Sequence, residues 1–320
     1  MVAFLLGGTL SKAKLASNGK AILIVSLSVV ILTATLVFLG LFAIGTSTLL
    51  ALLLAGIATA TAPAATQDAI RQIQAKGPFT DTLLGVVAVD DAWGLILFSI
   101  LLATASAVAG EVSWVTLGHG LWELGGAFVV GAAIGLPAAF LTGRLQSGEP
   151  MQAEALGLIL ICAGLSTWLG VSFLLAGMVA GAIVTNLARH HNRPFHEIEH
   201  IEWPFMVLFF VLSGASLHLG SVAQIGGLGI AYIVLRMVAR IAAGWLGATW
   251  AGAPVRHRMW IGLALTPQAG VALGMTLVAV GHFPEFKEEL IAITIGTTVF
   301  FELIGPALTQ LALRKVGEAK

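Results

Sequence analysis

The sequence predicts an all-α polytopic membrane protein of about ten transmembrane helices, and three observations carry that reading. The chain of 320 residues is 58% hydrophobic and only 10% charged, with a mean hydropathy of +0.97; a soluble domain carries about 25% charged residues. Apolar runs long enough to cross a hydrocarbon core about 30 Å thick recur along the whole length. The basic residues also sort by side once those runs are mapped as spans.

Residues 1–10, "MVAFLLGGTL", are apolar but lack a basic n-region and a cleavage site. They read as the tail of a helix that starts upstream, not as a signal peptide. Apolar length and polar breaks then place spans near 21–43, 48–72, 80–107, 118–142, 152–169, 171–188, 203–219, 222–250, 259–281 and 288–313. On this map Lys12, Lys14, Lys20, Arg71, Lys76, Arg144, Arg189, Arg193, Arg256, Arg258, Arg314, Lys315 and Lys320 share one side. Lys287 stands alone on the other, beside Glu285, Glu288 and Glu289, while Arg236 and Arg240 fall inside a span. A wrong number of spans would scramble this split. The crowded side, and the C-terminus with it, is expected to face the cytoplasm.

The same numbers exclude several classes. A net charge of zero gives no nucleic-acid footprint. One cysteine, Cys162, in an apolar run rules out a disulfide framework and reads as a small core residue. The loops are short, and no soluble domain is attached.

Two spans carry matched interruptions. The span at 48–72 contains "ATATAPAATQD" with Pro63, and the span at 259–281 contains "ALTPQAGVALG" with Pro267 and Gly270. Proline removes a backbone donor and blocks a helical hydrogen bond. Unwound backbone at membrane depth is tolerated only inside protein or beside a water-filled cavity. A pair of interrupted helices in the two halves of a chain points to a transporter binding site.

Charges collect at the same depth. Asp90 and Asp91, inside "LLGVVAVDDAWGLILFSILLA", lie about 15 Å into their span at about 1.5 Å per residue. Pro63, Pro267, Arg240 and Glu302 are expected close to the same plane. A lone charge there costs at least about 2.5–3.5 kcal/mol, so such groups find partners and mark ion or proton pathways. Arg236 with Glu302 is expected as a salt bridge that locks helices together. Two adjacent acids exceed what one structural cation requires. They point about 100° apart on a helix, so one can face a basic neighbour while the other faces a cavity. Carboxylate, carbonyl and hydroxyl oxygens are hard ligands for a hard cation, and Thr61, Thr66, Thr266 and Gln268, with freed backbone carbonyls, are the candidates for lining such a site.

The pieces "TAPAAT" (61–66), "VVAVDDAWGL" (86–95), "FFVLSGASL" (209–217), "LRMVARIAAGWLGA" (235–248), "LTPQAGVALG" (265–274) and "FFELIGP" (300–306) occur in the order found in a known family. The chain resembles the monovalent cation/proton antiporters, in the branch holding bacterial Na+/H+ and K+/H+ exchangers. The resemblance implies an inverted-repeat antiporter fold, with two unwound helices crossing at the midplane of a core domain. That core would comprise 21–107 and 221–320, with 108–145 as a linker helix and 146–220 on a dimerisation side. Further helices normally precede "FLLGGTLSK" in the family, so the chain looks N-terminally truncated, with homodimerisation expected where they are present. By the same resemblance Asp91 carries cation and proton, Asp90 pairs with a basic residue, and Arg240 holds that residue's position, often Lys in electrogenic members. Some members carry Asp where this chain has Ala62, and Glu302 is expected to supply that negative charge instead.

Other readings are weaker. "HEIEH", His196 to His200, matches the H-E-x-x-H zinc signature, but it lies in a basic loop with no obvious third ligand and reads as an interfacial loop. With His190 and His191 it offers a second reading as a sensor of cytoplasmic pH. Glu123 and His119 read as interfacial, Asp68 as a residue of the cytoplasmic funnel, and Asp81 as a helix cap. The expected function is secondary active exchange of a monovalent cation for H+ across a lipid bilayer, with no cofactor and no bound metal. A cation-coupled solute symporter on a similar fold is the alternative; an intramembrane protease, aspartyl or zinc, is the alternative of another class.

Overall fold

The computed structural model describes residues 2–9, 19–110, 114–142, 151–188, 198, 204, 207–208, 219–268 and 270–319. All regular structure among them is helical. In chain order the helices are α1 (Val2–Thr9), α2 (Gly19–Ala43), α3 (Thr48–Ile57), α4 (Pro63–Gln72), α5 (Pro78–Ala109), α6 (Trp114–Thr142), α7 (Met151–Leu169), α8 (Phe173–Leu187), α9 (Leu219–Trp250), α10 (Val255–Ala264), α11 (Gly270–His282) and α12 (Lys287–Val316). A 3-10 turn at Pro284–Phe286 precedes α12. Among the described residues four segments, 19–43, 78–109, 226–250 and 284–316, are each long and apolar enough to cross a membrane. The span expected at 203–219, the piece at 209–217, and His190, His191, His196 and His200 lie outside the described residues or among their isolated positions.

Large apolar side chains face outward as well as inward, and several polar ones are buried. Ile31, Leu39 and Phe42 of α2 and Ile230, Val234 and Val238 of α9 are exposed, while Ser26 and Thr33 of α2 and Arg236 and Arg240 of α9 are fully buried. A lipid-facing surface removes the penalty on exposed apolar groups and requires every polar group to find a partner inside the protein.

The chain divides into two compact units. One comprises residues 1–14 and 106–211. In it α8 packs against α1 and α6. Small residues permit the close approach: a Cβ on Gly181 would collide with the Phe4 carbonyl. Phe4, Ala138, Ala139, Ala180, Val184 and Ala188 form its apolar core. Ser172 caps α8 by accepting from the Leu175 amide at 3.3 Å. The second unit comprises residues 15–105 and 212–320. Here α2 packs on α9, α9 on α10, and α12 on both α4 and α10. Gly244 of α9 and Gly262 of α10 meet backbone to backbone.

Two breaks organise this second unit. Proline has no N–H and pushes its predecessor out of the helical region; Ala62, before Pro63, has φ −125° and ψ 88°. Upstream, α3 tightens into short turns, with the Thr59 and Ala60 amides donating to the Gly56 and Ile57 carbonyls at 3.2 Å. At the other break the Thr266 amide donates to the Leu263 carbonyl at 3.3 Å, just before Pro267. In both places a threonine hydroxyl donates to the carbonyl three residues back, Thr59 to Gly56 at 2.7 Å and Thr266 to Leu263 at 2.6 Å. Helix ends of this kind leave terminal carbonyls without intrahelical partners. Gly94 of α5 lies against Thr59, and Gly305 of α12 lies against Pro267, each at a distance that leaves no room for a Cβ.

Candidate functional site: buried acids and guanidiniums at two helix breaks

Arg236 and Arg240 lie one turn apart on α9 and project from the same face. Both are fully buried. Arg236 donates from Nε to the Ala58 carbonyl at 3.1 Å, from one terminal nitrogen to the Thr266 carbonyl at 2.9 Å and from the other to the Ala60 carbonyl at 2.7 Å. One guanidinium thus ties the first break to the second. The Phe301 ring of α12 covers it, with the centroid 4.3 Å from the guanidinium carbon, a cation–π arrangement.

Arg240 splits its donors. One terminal nitrogen meets Asp90 Oδ2 at 3.0 Å. The other donates to the carbonyls of Thr59, of Ala60 at 3.0 Å and of Ala58 at 3.3 Å. The C-terminal end of a helix carries roughly half a negative charge. The end of α3 is therefore neutralised by two guanidiniums and the end of α10 by one.

Asp91 makes a different set of contacts. Its Oδ1 accepts from the Thr61 amide at 2.8 Å and from the Thr61 hydroxyl at 2.8 Å. Thr61 stands just ahead of α4, so the carboxylate sits at the positive end of that half-helix. Asp91 Oδ2 is buried and has no hydrogen-bond partner. The adjacent acids thus do separate things: Asp90 meets a guanidinium through Oδ2 and Asp91 is held by Thr61 through Oδ1, each keeping its other oxygen without a hydrogen-bond partner.

The remaining candidates fall around this centre. Thr266 and Gln268 are fully buried and flank Pro267, while Gly270 opens α11. Thr66 is buried one turn into α4, which Pro63 opens. Glu302 departs from expectation. Its side chain is exposed, and Arg236 is occupied by carbonyls and by Phe301, so the salt bridge between Arg236 and Glu302 does not form. Among the described residues Glu302 likewise makes no contact that would bring its charge to Ala62. Asp81 is also reassigned. It lies within the first turn of α5, and the free amides there, Phe79 and Thr80, donate to the Glu318 carboxylate at 2.8 Å each. Asp68 is exposed and 3.9 Å from Arg71.

Sequence reasoning missed two features. The carbonyls of Ala58, Thr59 and Ala60 are acceptors that no side-chain letter reveals. Tyr232, one turn before Arg236, is fully buried with an unpartnered hydroxyl; its place on the 232–236–240 face was the available signal.

Comparison with known proteins gives a consistent picture. The ammonium/H+ antiporter subunit AmhT of Alkalihalophilus pseudofirmus is 22% identical over 251 residues, covering 77% of this chain and 64% of the relative. The K+/H+ antiporter subunit KhtU of Bacillus subtilis is 23% identical over 289 residues, covering 88% of this chain and 66% of the relative. The chain thus spans just under two thirds of these relatives' lengths. The structure of the sodium proton antiporter MjNhaP1 from Methanocaldococcus jannaschii superposes with a TM-score of 0.76 at 19% identity, over 99% of this chain and 84% of that one. The fold is therefore that of the antiporter. The model of the sodium/hydrogen exchanger transmembrane family matches residues 1–315, and the chain accordingly belongs to that family.

Proposed function

We propose that this chain is a secondary active transporter, not an enzyme, exchanging a monovalent cation (Na+ or K+) for H+ by alternating access around Asp91. The observation that carries the reading is the Asp91 carboxylate. It is fully buried, oriented by two hydrogen bonds from Thr61, and has its second oxygen unpartnered. A buried carboxylate oxygen without a donor is an unusual thing for a folded protein to keep. A proton or a hard monovalent cation satisfies it equally well, and competition between the two at one oxygen is the basis of exchange.

The surrounding groups have supporting roles in this scheme. Asp90 is committed to Arg240. Arg240 and Arg236 hold the broken ends of α3 and α10, so the backbone around Thr61 and Gln268 stays open to a ligand. Thr61, Thr66, Thr266 and Gln268 line the site, and Pro63, Pro267 and Gly270 keep the helices from closing over it. We place the chain in a bacterial inner membrane as a multi-pass protein, with the basic side and the C-terminus in the cytoplasm. Homodimerisation is assigned to the side built by residues 146–220.

Proton flux in proteoliposomes tests the reading. A pH gradient is formed, Na+, Li+ or K+ is added, and wild type is compared with Asp91→Asn, which keeps shape and removes charge. Cation-dependent collapse of the gradient in wild type, abolished in Asp91→Asn while the protein still folds, is the expected result. An Asp91→Asn protein that exchanges normally would move the reading to a cation-coupled symporter with its binding site elsewhere.

A further inference from the structure

Two further buried polar side chains beside the breaks lack partners. Tyr232 is the single tyrosine of the chain. It lies one turn before Arg236 and two turns before Arg240, so the three share one face of α9. It has no exposure, and its hydroxyl makes no hydrogen bond. The Gln268 carboxamide is equally buried, and neither its Oε1 nor its Nε2 is partnered. Both stand beside the helix breaks that Arg236 ties together. Arg236 binds the Thr266 carbonyl, two residues before Gln268, at 2.9 Å and the Ala60 carbonyl at 2.7 Å. The next residue, Thr61, holds Asp91.

Buried side-chain polar atoms are nearly always hydrogen-bonded. Three orphaned atoms on these two side chains, with an orphaned carboxylate oxygen at the same pair of helix breaks, point to a polar space for a hydrated guest. Resting on the exchange reading above, we propose that Tyr232 and Gln268 are the neutral half of the cation site. The Tyr232 hydroxyl and Gln268 Oε1 supply oxygen ligands, direct or through water, to the monovalent cation whose charge Asp91 Oδ2 neutralises.

The chemistry divides cleanly between the halves. Hydroxyl and amide oxygens are hard ligands, yet neither exchanges protons at the working pH of a transporter. A cation gains from them and a proton on Asp91 does not. The two guanidiniums are balanced by Asp90 and Asp91, and the C-terminal ends of α3 and α10 by the N-terminal ends of α4 and α11, so the oxygen ligands, rather than a net negative charge, hold the cation. Tyr232 and Gln268 therefore set which cation is accepted and how tightly. They leave the proton affinity of the carboxylate to its own surroundings.

The test is the apparent KM for Na+, Li+ and K+ in proteoliposomes at several pH values, for wild type, Tyr232→Phe and Gln268→Leu. Competition at Asp91 makes the wild-type KM rise as pH falls. Tyr232→Phe is expected to raise KM about fivefold, the loss of one ordinary hydrogen-bonding oxygen, by the same factor at every pH. The preference among the three ions changes with it. Tyr232→Phe removes only an unpartnered hydroxyl, so it decides the matter even where Gln268→Leu does not fold. An unchanged KM and ion order in Tyr232→Phe would overturn the proposal. So would a lower maximal rate with KM unchanged, the mark of a purely structural role. Wild type with no cation-dependent flux at all would remove the exchange reading and this site with it.

Discussion

Arg240 and Asp90 form an ion pair at 3.0 Å in which neither side chain has any exposure. Burying two charges costs more than their attraction returns unless further hydrogen bonds satisfy them, and Arg240 gains those from the end of α3. Removing one partner leaves an uncompensated buried charge, which costs about 3–5 kcal/mol. Arg240→Ala is therefore expected to abolish or severely destabilise the folded protein. Arg240→Lys keeps the charge but loses the fork that reaches carboxylate and carbonyls together, and should fall between Ala and wild type. Thermal unfolding in detergent orders the three. An Arg240→Ala protein as stable as wild type would show that the pair does not hold the break.

Arg240 also bears on stoichiometry. A guanidinium stays protonated through any transport cycle, whereas a buried lysine can lose its proton. In the proposed scheme Asp90 stays with that cation and Asp91 is the carboxylate that exchanges. One monovalent cation then replaces one proton, and the loaded site carries the same charge in both states. Transport is expected to be electroneutral, so a valinomycin-clamped potential of either sign should leave the rate of cation-driven proton flux unchanged. A rate that follows the imposed potential would mean that a second group gives up or takes up charge.

The glycine contacts around α10 give a steric prediction with its own control. A Cβ at Gly262 would collide with the Arg240 carbonyl and reach 2.8 Å from the Ile241 Cα. Gly262→Ala must push α10 away from α9, and overpacking of this kind typically costs about 1–3 kcal/mol. Gly296, on the exposed face of α12, has nothing within 4 Å of its would-be Cβ, so Gly296→Ala is neutral or slightly stabilising. Thermal unfolding of the two variants compares them directly. Equal stability would mean that α9 and α10 do not meet at Gly244 and Gly262.

What the letters reveal and conceal follows from chemistry. Pro63 and Pro267 announce the breaks because proline cannot donate, and Asp90 and Asp91 announce themselves by charge in an apolar run. The fold was readable for the same reason: apolar length and basic-residue asymmetry are properties of the sequence itself. Arg236 misled because charge suggests an opposite charge, and Glu302 was the nearest candidate at that depth. Its actual partners are carbonyls of Ala58, Ala60 and Thr266, which every residue carries and no letter distinguishes. Tyr232 hid in a long apolar helix because a buried tyrosine usually finds a partner for its hydroxyl, and only the structure shows that this one does not.

Glu318 illustrates the same limit across a longer distance. It lies 239 residues after Phe79, just beyond the left-handed Gly317, φ 84°, that ends α12. Its carboxylate accepts from the amides of Phe79 and Thr80 and from the Thr80 hydroxyl, each at 2.8 Å, and the Lys76 amide donates to its carbonyl at 3.1 Å. The helix so capped is α5, which carries Asp90 and Asp91. A cap of this kind is worth about 1 kcal/mol, and a carboxylate at a helix N-terminus adds a favourable dipole interaction. The fit is close, since a Cβ at Gly77 would run into the Glu318 carboxylate. Glu318→Ala is expected to lower the unfolding midpoint modestly and to speed hydrogen exchange at the Phe79 and Thr80 amides. Glu318→Gln keeps one acceptor and should recover part of that protection. Exchange at those two amides that is unchanged in Glu318→Ala would mean that the first turn of α5 is held by other groups.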